Sequence, residues 1–330
     1  MQKFADLRRH RQQKIEEEEE ESSSEEAEQS FSYQHLLETH GVERMKDITG
    51  FTDEEFREIA EQIAPLMIQR GRGRRGFAAE DGLAIFLAWA TSGMTYNELS
   101  LLFHMPIASV KTAIANFMGR GKAALVSSFI PTTLEDAAAA SNFPHFPDAI
   151  GAVDATIIPI WRPSNPEDQR KYYSGKHKVH CVKFQLLVNP DGQAIHLSQI
   201  VEGKKHDKKL FDESSLRQFV SEQSNLAGQV VITRKPILCD RGYTGIQGTY
   251  PEAIIMKKQP HEGELTDDEK RLNDMLSSDR MIVENYFGRM KVLFGILFST
   301  FRCEIRLLDD LIPMLVALTN FNIRHHPLRR

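Results

Sequence analysis

The chain is poor in cysteine, with three in 330 residues: Cys181, Cys239 and Cys303, far apart and without a C-x-x-C spacing. That argues against a disulfide framework and a thiolate zinc site, and for a reducing compartment. No run of about 18 uncharged apolar residues is present, so no membrane span is expected. The first residues contain no apolar signal segment, so secretion is not expected either. Charge of one sign is also scarce once the net value of −5 is dissected. Residues 1–28 hold five Lys/Arg and ten Asp/Glu, which leaves 36 of each sign in the remainder. Global charge therefore neither supports nor excludes a polyanionic partner, and local clustering must decide.

Residues 1–30 combine Arg8-Arg9-His10-Arg11 with the acidic run Glu16 to Glu21 and Ser22-Ser23-Ser24. This segment has too little apolar surface to offset the entropy of ordering and reads as a disordered acidic leader. Its basic cluster is either a solvated tail or a weak nuclear-import signal. From Phe51 the pattern is helical: Thr52-Asp53-Glu54-Glu55 has the composition of a helix start, and Phe56, Ile59, Ile63 and Leu66 follow at helical spacing. Arg72 and Arg74 lie in a glycine-rich basic loop that is either a connector or a phosphate contact. Another helix begins over Leu83 to Ala90. Between Thr95 and Met118, two apolar faces (Leu99, Leu102, Phe103; then Val110, Ile114, Phe117) flank a break at Met105-Pro106. That is the layout of a helix-turn-helix, with Lys111 and Thr112 facing outward on its second helix; a plain helical hairpin has the same pattern. Residues 119–148 read as a helical linker closing an all-helical domain, 31–148.

The rest, 149–330, is organised around Ile150 to Ile160, a β-branched run bounded by Pro147 and Pro159 that reads as a buried strand. Asp154 sits in its middle, where a carboxylate is costly to bury without a partner or a metal. A second strand spans Lys178 to Val188. Asn189-Pro190-Asp191-Gly192 is a hairpin turn, and Ala194 to Val201 returns antiparallel. Asp207 to Val220 is helical. Pro236 to Asp240 is a fourth strand ending on a second acid, and Ala253 to Met256 a fifth. A helical segment from Leu265 carries Glu284, beside a buried stripe of Val283, Phe287, Met290, Phe294 and Leu297. Three antiparallel strands, a helix, a strand, then more helix and strand form an α/β order resembling the ribonuclease-H-like fold of DDE and retroviral-integrase-type catalytic domains.

Were Asp154, Asp240 and Glu284 to converge, each pair at about 4 Å would repel by roughly 4 kcal/mol at an effective dielectric near 20. Such a cluster needs protons or cations. An all-oxygen donor set selects Mg²⁺ or Mn²⁺, and two such ions suit in-line phosphodiester cleavage. Taken singly, each acid has a simpler reading: Asp154 satisfied by backbone amides, Asp240 capping a turn, Glu284 paired with Arg280 four residues back. Their joint order, strand, strand and helix, favours the metal site.

The chain resembles the Harbinger (PIF) family of DDE transposases and the nuclease derived from them. The resemblance rests on Val153-Asp154-Ala155-Thr156, Glu202-Gly203-Lys204-Lys205-His206-Asp207, Cys239-Asp240-Arg241-Gly242-Tyr243 and Val283-Glu284-Asn285-Tyr286-Phe287-Gly288-Arg289-Met290-Lys291, within about Gly50 to His326. It implies that Asp154, Asp240 and Glu284 form a catalytic triad binding a divalent metal, with Asp207 as a fourth ligand. Helix capping is the alternative role for Asp207. Ala155 and Asn285 depart from the commoner Gly and Arg of those motifs. Lys176, Lys178, Lys204, Lys205, Arg289 and Lys291 flank the proposed site and suit DNA as the partner. The resemblance further implies a Myb-like DNA-binding protein partner. A nuclear location is expected, with the cytoplasm as the alternative, and nothing speaks against an oligomer. A DNA-binding or partner-docking protein without turnover is the rival reading. A metal phosphohydrolase of small substrates is the weaker third.

Overall fold

The protein is described by a computed structural model covering residues 32–66, 78–226, 229–259 and 263–328. The acidic leader, Arg72 and Arg74 lie outside the described residues. Among these, no single helix is long and apolar enough to cross a membrane.

The fold is mixed α/β. Helices come first: α1 (Tyr33–Thr49), α2 (Asp53–Ile63), α3 (Ala79–Ser92), α4 (Tyr96–Phe103) and α5 (Ile107–Phe129). The expected start at Thr52 is a full capping box, in which the Thr52 hydroxyl accepts from the Glu55 amide and the Glu55 carboxylate accepts from the Thr52 amide. Thr95 and Glu98 cap α4 in the same way. Pro106 then starts α5, bent by 103° from α4. The linker expected from Gly119 onward is different: α5 runs on to Phe129, because Gly121 is buried against the Phe117 ring, where a Cβ would sit at 3.2 Å. Only residues 130–150 are irregular.

The sheet follows, with strands β1 (Gly151–Pro159), β2 (Tyr173–Ser174), β3 (Val179–Val188), β4 (Ala194–Leu197) and β5 (Val201–Glu202). Between β1 and β2 lies helix α6 (Pro166–Tyr172). Helices α7 (Asp207–Glu213) and α8 (Leu216–Phe219) replace the single helix expected over 207–220, divided at Ser214-Ser215. A two-stranded ribbon of β6 (Ser221–Leu226) and β7 (Gln229–Arg234) precedes β8 (Ile237–Cys239) and β9 (Ala253–Ile255). Strand order is β2-β3-β1-β8-β9, with β4 and β5 also on β3. β1 is antiparallel to β3, Asp154 opposite Leu186, and parallel to β8, Val153 opposite Cys239.

Two long helices close the chain, α9 (Asp267–Leu293) and α10 (Leu308–His325). The stripe Val283, Phe287, Met290, Phe294 and Leu297 is buried throughout. One cluster of buried side chains joins α3, α5, α9 and α10 to the sheet face that carries Ala152 and Ile158. The opposite face, with Val153, Leu187 and Cys239, packs against Phe211, Tyr243 and Tyr250. Asn320, fully buried in α10, links these layers. Its amide donates to the Phe129 and Ala194 carbonyls, while its oxygen accepts from the Ala194 amide and the Tyr286 hydroxyl.

Candidate active site

The parallel register of β1 and β8 sets the site. Side chains alternate across a strand, so Asp154 shares its face with Ala152, toward α9. β8 stops at Cys239 opposite Val153, and the next residue, Asp240, therefore lies beside Asp154. Beyond that point, among the described residues, no strand pairs with this edge of β1 until Phe301, which forms a bridge with Ile160. Two acids thus meet where the pairing of β1 with β8 ends.

Between them stands Arg280 of α9. Its Nη2 is 3.5 Å from Asp154 Oδ2 and its Nη1 is 3.8 Å from Asp240 Oδ1. The residue is only 3% exposed, and its Nε has no hydrogen-bond partner among the described residues. The reading that paired Arg280 with Glu284 is not what the helix does: the arginine turns inward to the strand acids. Burial holds the Asp154 carboxyl up at about 6. Arg280 and the Ala155 amide, which donates to Oδ1 at 2.8 Å, oppose that rise, and the charges of Asp240 and Asp207 add to it. Asp240 makes no side-chain cap on the turn that follows it.

Asp207 approaches from the other side. It is the first residue of α7, behind His206, and no side-chain cap is made there. Its Oδ1 instead accepts from Lys183 Nζ at 2.8 Å, and the same ammonium donates to the Lys205 carbonyl. A Cβ at Gly242 would lie 2.6 Å from Asp207 Oδ2, so the glycine after Asp240-Arg241 makes room for this carboxylate. Glu284 stands one turn beyond Arg280 on α9 and is exposed. Asp240 and Asp207 are both brought into electrostatic reach of Asp154. Glu284 is not drawn into that group, and among the described residues no three His, Cys, Asp or Glu side chains form a ready metal cage. Gly288, the next turn of α9, has open space where a side chain would be.

The basic residues divide. Lys176, Lys178 and Lys204 are exposed, as are Lys111 and Thr112 on α5, with Lys111 Nζ 5.6 Å from the Tyr96 ring centre. Lys291 is half-buried, and burial lowers its pKa. The pKa of His177 is lowered by burial first, then by the charges of Lys176, Lys183 and Lys291, with Asp207 opposing. Lys205 is committed to Glu213 at 2.7 Å, and Arg289 to Asn322 Oδ1 and the His326 carbonyl. Sequence reasoning gave Arg280 to Glu284 and missed its place between the strand acids, as it missed the Lys183–Asp207 pair. Arg280 had a signal, since it lies one turn before Glu284 on the same helical face.

The donor chemistry fits a hard divalent cation. All candidate ligands are carboxylates, the hard oxygen donors such an ion takes, and Asp240 and Asp207 both act on Asp154, with Arg280 between Asp154 and Asp240.

Comparison with known proteins bears on the same segment. The sequence pattern of the DDE superfamily endonuclease family matches residues 153–320, from β1 into α10. A probable transposase for insertion sequence element IS702, from Microchaete diplosiphon, is 29% identical over 150 residues. That alignment covers 46% of this chain and 49% of the relative, so the chain spans about half of that protein's length. No solved structure matches. With the family pattern covering half of the sequence, including the strand that carries Asp154, the loop that carries Asp240 and the helix that carries Glu284, the chain belongs to the DDE superfamily endonucleases.

Proposed function

We propose that the protein is a divalent-metal-dependent DNA endonuclease of transposase descent, of the Harbinger lineage, built on a ribonuclease-H-like catalytic region. The observation that carries this reading is the meeting of Asp154, on β1, with Asp240, one residue past the end of the parallel strand β8, inside the matched segment. Asp154 and Asp240 would hold the ion, with Asp207 and Glu284 as further ligands. When bound, Mg²⁺ or Mn²⁺, as one ion or two, supplies an activated water and charge stabilisation for phosphodiester hydrolysis.

The chain's own residues do the rest. Arg280 keeps the two strand acids together against their mutual repulsion, and Lys183 neutralises Asp207. Gly242 leaves room for the Asp207 carboxylate, and Gly288 keeps a side chain out of the space a DNA backbone needs. Exposed Lys176, Lys178 and Lys204, with half-buried Lys291, attract phosphates toward the strand edge. The bent pair α4 and α5 presents Lys111 and Thr112 as a helix-turn-helix-like DNA contact, and a Myb-like partner would add further DNA binding. The nucleus is the setting this activity implies.

The test is cleavage of duplex DNA with Mg²⁺ or Mn²⁺ by the wild type and by Asp154→Ala, Asp240→Ala and Glu284→Gln. Each change is expected to lower the rate at least about a hundredfold, since even groups outside the ligand shell can carry that much. Equal activity in all four proteins would sink the proposal. One observation favours the second reading, a DNA-binding protein without turnover: Arg280 already supplies a cation to both strand acids. That reading predicts DNA binding that survives chelation and all three substitutions.

A further inference from the structure

We infer that Arg280 is a built-in counter-cation that competes with the first divalent ion for Asp154 and Asp240, and so sets how readily the site loads. The inference rests on the metal-dependent reading above and adds the device that regulates it. One guanidinium faces two carboxylates, one terminal nitrogen toward each, at 3.5 and 3.8 Å. Those separations are long for a locked bidentate fork. What keeps the group there is the charge of the acids, because its Nε is buried without a partner among the described residues and a buried unpaired donor is costly.

An arginine confined in this way cannot leave for solvent cheaply, and it does not lose its charge. An ion shared by the two aspartates would therefore lie within about 5 Å of a fixed positive charge. Even with water-like screening, that repulsion weakens binding by about tenfold or more. In the metal-free protein the same charge does the opposite service, holding two adjacent acids in register. Arg280 is in these terms a positioning residue: it orients the ligands and sets their affinity without touching substrate.

The experiment is a Mn²⁺ titration of the full chain, read as loss of the free-ion signal in electron paramagnetic resonance. It compares the wild type with Arg280→Gln, Arg280→Lys and Asp154→Asn. Arg280→Gln is expected to bind Mn²⁺ about tenfold or more tightly, Arg280→Lys about as the wild type does, and Asp154→Asn more weakly. Unchanged or weaker binding in Arg280→Gln, with the wild type still dependent on Asp154, overturns the competition alone. Binding that is indifferent to Asp154, or no binding in any of the proteins, removes the metal reading and this inference together. Should Arg280→Gln not fold without metal, refolding on Mn²⁺ addition, followed by circular dichroism and lost when Asp154→Asn is added, supports the inference. Failure of Mn²⁺ to refold it counts against.

Discussion

In the metal-free protein, Asp154→Asn should remove one limb of the dependence of stability on pH. Burial places the Asp154 carboxyl at about 6, against 3.8 in a solvated chain. Between those values the unfolded chain gives up its proton while the folded one keeps it. The stability this group confers is therefore complete below about pH 4, falls as pH rises toward 6, and is gone above it. At 1.36 kcal/mol per pKa unit the loss is about 3 kcal/mol. Asparagine mimics the protonated acid in shape and leaves Arg280 its contact with Asp240. Variant and wild type should thus be equally stable near pH 4, with the variant ahead by about 3 kcal/mol at pH 8. Urea midpoints at half-unit pH intervals measure the difference, and groups common to both proteins, such as buried His196, cancel. Adding Mn²⁺ at pH 8 should close the gap by stabilising the wild type alone. Parallel profiles from pH 4 to 8, or a variant that loses ground as pH rises, would refute the reasoning.

Two further substitutions probe the surroundings. Gly242→Ala places a Cβ 2.6 Å from Asp207 Oδ2, so the carboxylate must swing away from Lys183. Because only a side-chain tip moves, stability should change by less than about 1 kcal/mol while cleavage falls about tenfold, measured by urea melts and a nicking assay. Asn320→Leu strands the buried Phe129 carbonyl and both backbone groups of Ala194, and should cost about 3 kcal/mol or more in the same melts. A loss below about 1 kcal/mol would mean that this amide is not what ties α5, β4 and α9 to α10.

The strands were legible because they are short apolar runs between turn signals, and β1, β3, β8 and β9 fall within a residue or so of the runs that announce them. The stripe on α9 was legible for the matching reason, a regular 3–4 spacing of large apolar residues. What periodicity does not carry is partnership. Nothing local says that Arg280 turns inward to two strands rather than along its helix to Glu284, because that depends on how α9 crosses the sheet. Lys183 alternates inside β3 as any strand lysine would, and only the return of α7 gives it Asp207. The ribbon of β6 and β7 went unread because polar Ser221–Leu226 has no clear alternation and hides the short β-branched run of Gln229–Arg234, and α10 because a helix buried nearly all round has little amphipathic signal. The sequence put each of Asp154 and Asp240 in or at a strand, but their meeting depends on β8 lying parallel beside β1, and the place of Glu284 depends on side-chain reach from an exposed helical position.

The most direct measurement is anomalous scattering from Mn²⁺ in crystals of the metal-loaded protein. The account predicts a peak about 2.1 Å from carboxylate oxygens of both Asp154 and Asp240, with the Glu284 side chain turned in toward it and Arg280 drawn back. Crystals in which Mn²⁺ leaves that pair empty and Arg280 still bridges the two aspartates would contradict it.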